Sequence, residues 1–336
     1  MKLKRMKGFK SFRTSWLMSN RHYIIPLLIV AIILDAGFAL VFAVAAAVLW
    51  AVNKLRARLP IETRAKEPPQ TIVYRKIGGA ELKLDLYSPN PTVASTASGT
   101  ATVVFAHGGG WISGARNQPN NISWCHFLVD RGFAVASIDY RFAYANKMAD
   151  IIDDFSAAVD FIRVNADELL LPKPLILMGL SAGGHLALCH AAFNTIEQTT
   201  ETAEAMRDIK AVVAYYSPSD LTDLFSTDDK SFFARFGAGT AMKSTPRFDE
   251  AAYDRFSPVN SLSVHMIPVL AVHGRNDEVV PYSSSVKLVR RLKEFKIPCR
   301  FLVHKSGGHG FEVRLKDYRT TMILEETVRF MRDICR

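Results

Sequence analysis

Leu175-Ile176-Leu177-Met178-Gly179-Leu180-Ser181-Ala182-Gly183-Gly184-His185-Leu186-Ala187-Leu188 decides how this 336-residue chain is read. Its first half is a short, unbroken apolar run between Pro174 and a glycine-rich turn. A run of that length with no polar face suits a strand buried on both sides of a parallel sheet. Its last residues read as a helix packed on that sheet. Between them stands Gly179-Leu180-Ser181-Ala182-Gly183, a Gly-x-Ser-x-Gly pattern. Alone the pattern occurs by chance; between a strand and a helix it predicts a sharp elbow that exposes a serine. The helix start then points free N–H groups at any anion forming there. No Gly-Lys-Ser/Thr follows, so a phosphate-binding P-loop is excluded.

Working outward, the same strand signal recurs at Thr71–Ile77, Leu82–Tyr87, Thr102–Ala106, Ala134–Asp139, Ala211–Tyr216, Pro268–His273 and Arg300–His304. Helical patterns fall between them at Ser123–Arg131, Met148–Asn165, Ala182–Ala192, Ser283–Phe295 and Tyr318–Ile334. Such alternation predicts a doubly wound α/β sheet. The first two strands have only Gly78-Gly79 between them, which predicts an antiparallel edge hairpin. Residues 220–265 break the alternation and are too long for a bare loop, so a small cap-like insertion with its own helices is expected. Cys125, Cys189, Cys299 and Cys335 are widely spaced and form no metal-ligand pattern, so neither a metal site nor an essential disulfide is expected.

A serine at neutral pH needs a base, and the base needs an orienting carboxylate. His309 sits in Gly307-Gly308-His309-Gly310-Phe311 after the last strand, and Asp277 in Asn276-Asp277-Glu278 just after the strand before it. The order Ser181, Asp277, His309 is the one the elbow predicts. Glu278 is the alternative acid. His107-Gly108-Gly109-Gly110-Trp111 ends another strand. There the uncovered N–H groups of the three glycines, with that of Ala182, are placed to hold an oxyanion, worth roughly 3–4 kcal/mol per donor. His185, His190, His265, His273 and His304 read as core or surface histidines. Trp111, Phe225, Phe232 and Phe233 either wall a substrate pocket or form the core of the insertion.

The formal net charge of +10 is confined to residues 1–66, and residues 67–336 sum to zero. A neutral bulk argues against nucleic acid as a partner. Residues 1–23 form a basic tail with seven Lys and Arg and no acid. Residues 24–50 are apolar apart from Pro26, Asp35 and Gly37. As a helix of about 1.5 Å rise per residue, that segment would cross a bilayer with tilt. Asp35 costs about 3 kcal/mol at central depth, while sixteen Ile, Leu, Val and Phe each return roughly 0.3–0.6 kcal/mol, so insertion wins. Ala43-Val44-Ala45 has the form of a cleavage site, but the apolar stretch is about twice the usual signal length, so an uncleaved transmembrane anchor is expected. Basic residues are more numerous before the segment, which predicts a cytoplasmic N-terminus and a catalytic domain on the non-cytosolic side. A charged linker at 51–69 would join it to the domain at 70–336.

Together the HGGGW loop, the GLSAGG elbow, HGRNDEVVP and SGGHGF resemble the α/β-hydrolase esterase/lipase group with an HGGG loop, akin to hormone-sensitive-lipase-like carboxylesterases. Leu82-Lys83-Leu84-Asp85-Leu86-Tyr87-Ser88-Pro89 and Phe256-Ser257-Pro258-Val259 resemble it too. The resemblance covers about residues 70–334. It implies an α/β-hydrolase fold with a mostly parallel eight-stranded sheet. It also implies Ser181 as nucleophile, His309 as base, Asp277 as acid, and Gly109, Gly110 and Ala182 as oxyanion donors, with no metal and no cofactor. The implied substrate is a small or lipid-like carboxylic ester. Similar sequences range from small-acyl, feruloyl and acetyl-xylan esterases to kynurenine formamidase and membrane-anchored isoprenylcysteine methylesterase, so amide or peptide hydrolysis is the alternative chemistry. An inactive adhesion protein on the same fold is the alternative outside enzymology.

Overall fold

A computed structural model of the chain describes residue 44 and residues 58–61, 69–89, 100–197, 199–226 and 231–336. The expected basic tail, the expected membrane helix at 24–50 (Val44 apart) and most of the expected linker lie outside them. Among the described residues no helix is long and apolar enough to cross a membrane. The chain divides into two units, Met1–Leu55 and Arg56–Arg336, and the fold below is that of the second.

Eight strands form one sheet: β1 Gln70–Ile77, β2 Ala80–Tyr87, β3 Thr102–Ala106, β4 Ala134–Ile138, β5 Leu175–Leu180, β6 Ile209–Tyr215, β7 Val269–Gly274 and β8 Cys299–His304. Their spatial order is β1-β2-β4-β3-β5-β6-β7-β8. The β1–β2 hairpin is antiparallel and β2 joins β4 antiparallel; all later pairings are parallel. Gly78 and Gly79 both adopt positive φ at the hairpin turn, which a glycine tolerates without strain. This is an α/β-hydrolase-type architecture.

The apolar runs are continuous because both faces of the sheet are covered. In β3, Val104 and Ala106 enter one core while Val103 and Phe105 enter the other. Likewise Leu175 and Leu177 of β5 face one side, and Ile176 and Met178 the other. The helices divide between the two faces, and each is placed by the core its side chains enter. Helix α1 (Pro119–Val129) sends Trp124, Phe127 and Leu128 into the second core. Helix α2 (Met148–Val164) and helix α3 (Ala182–Ile196) fill the first core with Ile151, Phe155, Leu186 and Leu188. Three helices follow: α4 (Thr200–Ala205), then α5 (Phe232–Met242) and α6 (Glu250–Arg255) in the insertion. Helix α7 (Tyr282–Glu294) adds Leu288 and Leu292 to the first core. After the short α8 (Phe311–Arg314), α9 (Tyr318–Ile334) adds Leu324, Val328 and Met331 to the second.

Two local readings change. Helix α1 begins at Pro119, four residues before the expected Ser123, because proline's fixed φ suits the first helical turn. Its polar Asn121 is buried there with Nδ2 donating to the Ala115 carbonyl at 2.7 Å. The expected linker at 51–69 is also not wholly separate from the domain. Leu59 is buried in the second core, and its N–H donates to Ser123 Oγ at 3.0 Å. All four cysteines are free thiols.

Candidate active site

Ser181 stands between β5 and α3 with φ 52° and ψ −118°. For a residue with a Cβ this costs roughly 1–3 kcal/mol and persists only where the surroundings impose it. Here they do. Its N–H donates to the Tyr215 carbonyl at 2.8 Å, and its carbonyl accepts the first helical bond from the His185 N–H at 3.1 Å. A Cβ on Gly183 would stand 2.2 Å from the Ala106 carbonyl oxygen, and one on Gly179 2.2 Å from the Gly183 carbonyl carbon. The turn is therefore pressed onto the end of β3 with no room for side chains. The N–H of Ala182 precedes the first helical bond, as oxyanion donation requires.

The loop after β3 lies across the elbow. A Cβ on Gly108 would touch the Leu180 carbonyl oxygen at 3.1 Å and Ser181 Cβ at 3.4 Å. Gly109 (φ 122°) and Gly110 (φ 60°) turn the chain in the left-handed region, and the Gly109 carbonyl accepts from the N–H groups of Ile112 and Ser113. His107 is fully buried, stacked on Tyr140 with ring centres 4.3 Å apart, and burial lowers its pKa. Its part is to hold the loop, since the Tyr140 hydroxyl donates to its carbonyl at 2.9 Å.

Asp277 and His309 are brought together by the loops after β7 and β8. The N–H of Arg275 donates to the His304 carbonyl, and that of Asn276 to the Gly307 carbonyl, each at 2.9 Å. Gly274 allows this, because a Cβ there would meet the Gly307 carbonyl oxygen at 2.3 Å. His309 Nδ1 lies 2.8 Å from Asp277 Oδ2. The other carboxylate oxygen accepts from the N–H groups of Val279 (2.8 Å) and Val280 (2.9 Å). Burial alone would raise the Asp277 pKa, but hydrogen bonds with His273 and His309 outweigh it and hold the group well below the ordinary carboxylate range. A carboxylate there makes Nδ1 the donor and leaves the Nε2 lone pair of His309 to take a proton. Glu278, the alternative acid, is exposed.

Sequence reading missed two neighbours of this pair. His273, expected to be a plain core or surface histidine, is buried with Nε2 3.3 Å from Asp277 Oδ2 and 3.0 Å from the Val280 carbonyl. Ser285 Oγ, 2.7 Å from its Nδ1, fixes the ring. Its position four residues before Asp277 at a strand end was the available signal. Tyr216 is the second: it follows the residue that accepts the Ser181 N–H, and its ring centre is 4.5 Å from that of His309.

The expected pocket residues are scattered. Trp111 is buried and meets His185 edge-on. Phe233 lies on the HGGG loop, where a Cβ on Gly110 would stand 3.1 Å from its ring. Gly237, one helical turn on, brings α5 close enough that its own Cβ would stand 2.5 Å from the Gly110 carbonyl oxygen. Phe225 packs within the insertion against Tyr253. Phe232 is 78% exposed and, with Phe225 and Phe236, lines a separate 660 Å³ cavity on the insertion. Among the described residues no cluster of His, Cys, Asp or Glu could hold a metal ion.

A family model described as BD-FAE matches residues 84–292. The chain belongs to the BD-FAE family. The matched stretch of this BD-FAE chain runs from β2 to α7 and includes Ser181 and Asp277. Among curated proteins it is similar to Esterase LipC of Mycobacterium tuberculosis, 28% identical over 215 residues, covering 63% of this chain and 53% of that protein. It is also similar to a probable isoprenylcysteine alpha-carbonyl methylesterase, ICME, of Oryza sativa, 26% identical over 250 residues, covering 70% and 56%. The chain thus spans about half the length of these relatives. Among solved structures it resembles a truncated carbohydrate esterase from gut microbiota (TM-score 0.66, 21% identity, 82% of this chain and 99% of that one). Similar again is a thermophilic esterase of Thermogutta terrifontis with butyrate bound (TM-score 0.63, 24% identity, 80% and 94%). These likenesses establish the α/β-hydrolase fold of this BD-FAE member.

Proposed function

We propose that this protein is a serine hydrolase that cleaves carboxylic esters through an acyl-enzyme. Support comes above all from the Asp277–His309 pair, 2.8 Å apart, which follows the C-terminal ends of β7 and β8 as the strained Ser181 turn follows that of β5. In this reading His309 Nε2 takes the Ser181 proton as Oγ attacks the acyl carbon. Asp277 holds the ring in the required tautomer and favours the imidazolium that forms. The N–H groups of Gly109, Gly110 and Ala182 receive the negative charge on the former carbonyl oxygen. His309 then returns its proton to the leaving alcohol. Water, activated by the same base, releases the acid and restores Ser181.

The apolar segment 24–50, flanked by basic residues, anchors the enzyme in a membrane, with the N-terminus cytoplasmic and the catalytic domain on the non-cytosolic side. The relatives named as esterases and a methylesterase favour a small or lipid-like ester as substrate. Phe233, lying on the Gly110 loop, is the aromatic residue best placed to touch it.

The test is a series of p-nitrophenyl esters of increasing acyl length, hydrolysed by detergent-solubilised full chain and by Ser181→Ala. Hydrolysis that falls at least about a thousandfold in the variant supports the reading; undiminished hydrolysis refutes it.

A further inference from the structure

Of the buried acidic groups the mechanism does not use, Asp85 and Asp154 are paired with arginines, and Glu312 has no such partner among the described residues. Glu312 is only 1% exposed, three residues after His309, on the single turn of helix α8. Its Oε1 accepts the Tyr216 hydroxyl at 2.6 Å and the Trp124 indole N–H at 3.4 Å. Its Oε2 is buried and makes no hydrogen bond with the described residues. A carboxyl group placed this way is a poor stabilising element. Burying it is costly, and half of its hydrogen-bonding capacity is unmet. Burial raises its pKa accordingly.

Its one short bond fixes the residue that faces the histidine. Tyr216 is fully buried by its neighbours and holds φ 38°, a strained value for a residue with a Cβ. Its N–H is pinned to the Val272 carbonyl at 2.6 Å, so the backbone is held by β7 and the hydroxyl by Glu312. Between these two fixed ends the ring stands 4.5 Å from His309 at a 55° tilt. Gly310, at φ 67°, turns the chain between His309, which meets the ring of this side chain, and Glu312, which meets its hydroxyl.

We infer that Glu312 is a positioning residue for His309, acting through the hydroxyl of Tyr216. This rests on the reading of His309 as the general base. The Tyr216 ring limits where the imidazole can swing, and the hydroxyl bond to Glu312 limits where the ring can swing. An electron-rich ring face also favours the imidazolium that forms during attack. Misplacing a catalytic group by about 1 Å can cost on the order of a hundredfold in rate, so a loosened ring is expected to lower kcat while leaving substrate binding intact.

The experiment measures kcat, KM and thermal unfolding for detergent-solubilised full chain, Tyr216→Phe, Glu312→Leu, Glu312→Gln and the Tyr216→Phe/Glu312→Leu double variant. Tyr216→Phe and Glu312→Leu are expected to lower kcat about tenfold or more with KM within about twofold. Glu312→Gln keeps an acceptor for the tyrosine and is expected within about threefold of the parent. The double variant is expected to be no slower than the slower single variant, because both changes break one link. A purely structural carboxyl predicts the reverse for Glu312→Leu, which would fold as well or better and keep its kcat; that result overturns the inference. If Glu312→Leu fails to fold, Tyr216→Phe, which removes a single oxygen, decides alone, and an unchanged kcat there overturns it. Hydrolysis surviving in Ser181→Ala would instead remove the underlying reading of the site.

Discussion

Asp277 meets His309 through one oxygen and the backbone of its own loop through the other. The 2.8 Å contact from Oδ2 to the imidazole is aimed by the Val279 and Val280 N–H groups on Oδ1. A carboxylate held in this way has little freedom to turn, so its contribution is directional as well as electrostatic. It follows that Asp277→Asn should lower kcat roughly 10⁴-fold by favouring the wrong imidazole tautomer. Glu278→Gln, at an exposed side chain, should stay near the parent rate. Steady-state kinetics on a short p-nitrophenyl ester ranks the two, and the opposite ranking would move the acid to Glu278.

The elbow gives a sharper steric expectation. In Gly183→Ala the new methyl would stand 2.2 Å from the Ala106 carbonyl oxygen and 2.5 Å from that of His107. Both are backbone atoms, so the HGGG loop after β3 must move. A hundredfold or greater loss of activity, or loss of folded protein, is expected. Gly239→Ala on α5 meets nothing closer than 3.6 Å and should be tolerated or add up to about 1 kcal/mol through helix propensity. Activity and melting temperature of the two variants check this.

Stability in acid should reflect histidines buried without charge, His185 and His190 among them. Burial lowers the pKa of His185 and His190 to about 4 each, against about 6.5 in an unfolded chain. Above pH 6.5 neither state binds these protons, so they do not affect stability. As pH falls toward 4 the unfolded chain takes them up first, and each costs the fold about 3 kcal/mol. Melting temperature should therefore drop between about pH 6.5 and 4, and His190→Gln should drop less over that window. Parallel pH curves for the two proteins would contradict it. Asp277 has the opposite sign. Its lowered pKa gives stability that is present above about pH 4 and lost only below that, so it plays no part in this window.

Strand positions were legible because burial on both faces makes each strand a short continuous apolar run, as in Val103–Phe105 and Leu175–Met178. The Ser181 elbow and the Asp277–His309 contact were legible because each residue sits in a glycine-rich or polar segment just after such a run. The contacts of His273 with Asp277, and of Glu312 with Tyr216, were not. The first rests only on a four-residue spacing at the end of β7 and the second on the segments after β6 and β8 being brought together, and a lone histidine or a glutamate in a short helix has no sequence pattern that announces a buried partner. Leu59 was hidden for a related reason. A few apolar residues spread through a charged stretch read as linker until the Ser123 hydroxyl takes the Leu59 N–H and the second core takes its side chain.

Membrane attachment is tested by fractionation. Full-length protein should remain in the membrane pellet after a carbonate wash, since a spanning helix is not held by surface charge. A chain beginning at Arg56, which keeps Leu59 on its core, should appear in the supernatant and hydrolyse short esters. Release of the full chain by carbonate, or a mature N-terminus near Ala45, would point to a cleaved signal segment.

The central claim is that Ser181 is an activated nucleophile. A fluorophosphonate probe, followed by digestion and mass spectrometry of the labelled full chain, tests it most directly. One adduct is expected per chain, on the peptide containing Ser181, abolished in Ser181→Ala and strongly slowed in His309→Ala. A chain that takes no label, or takes it on another residue, would contradict the account.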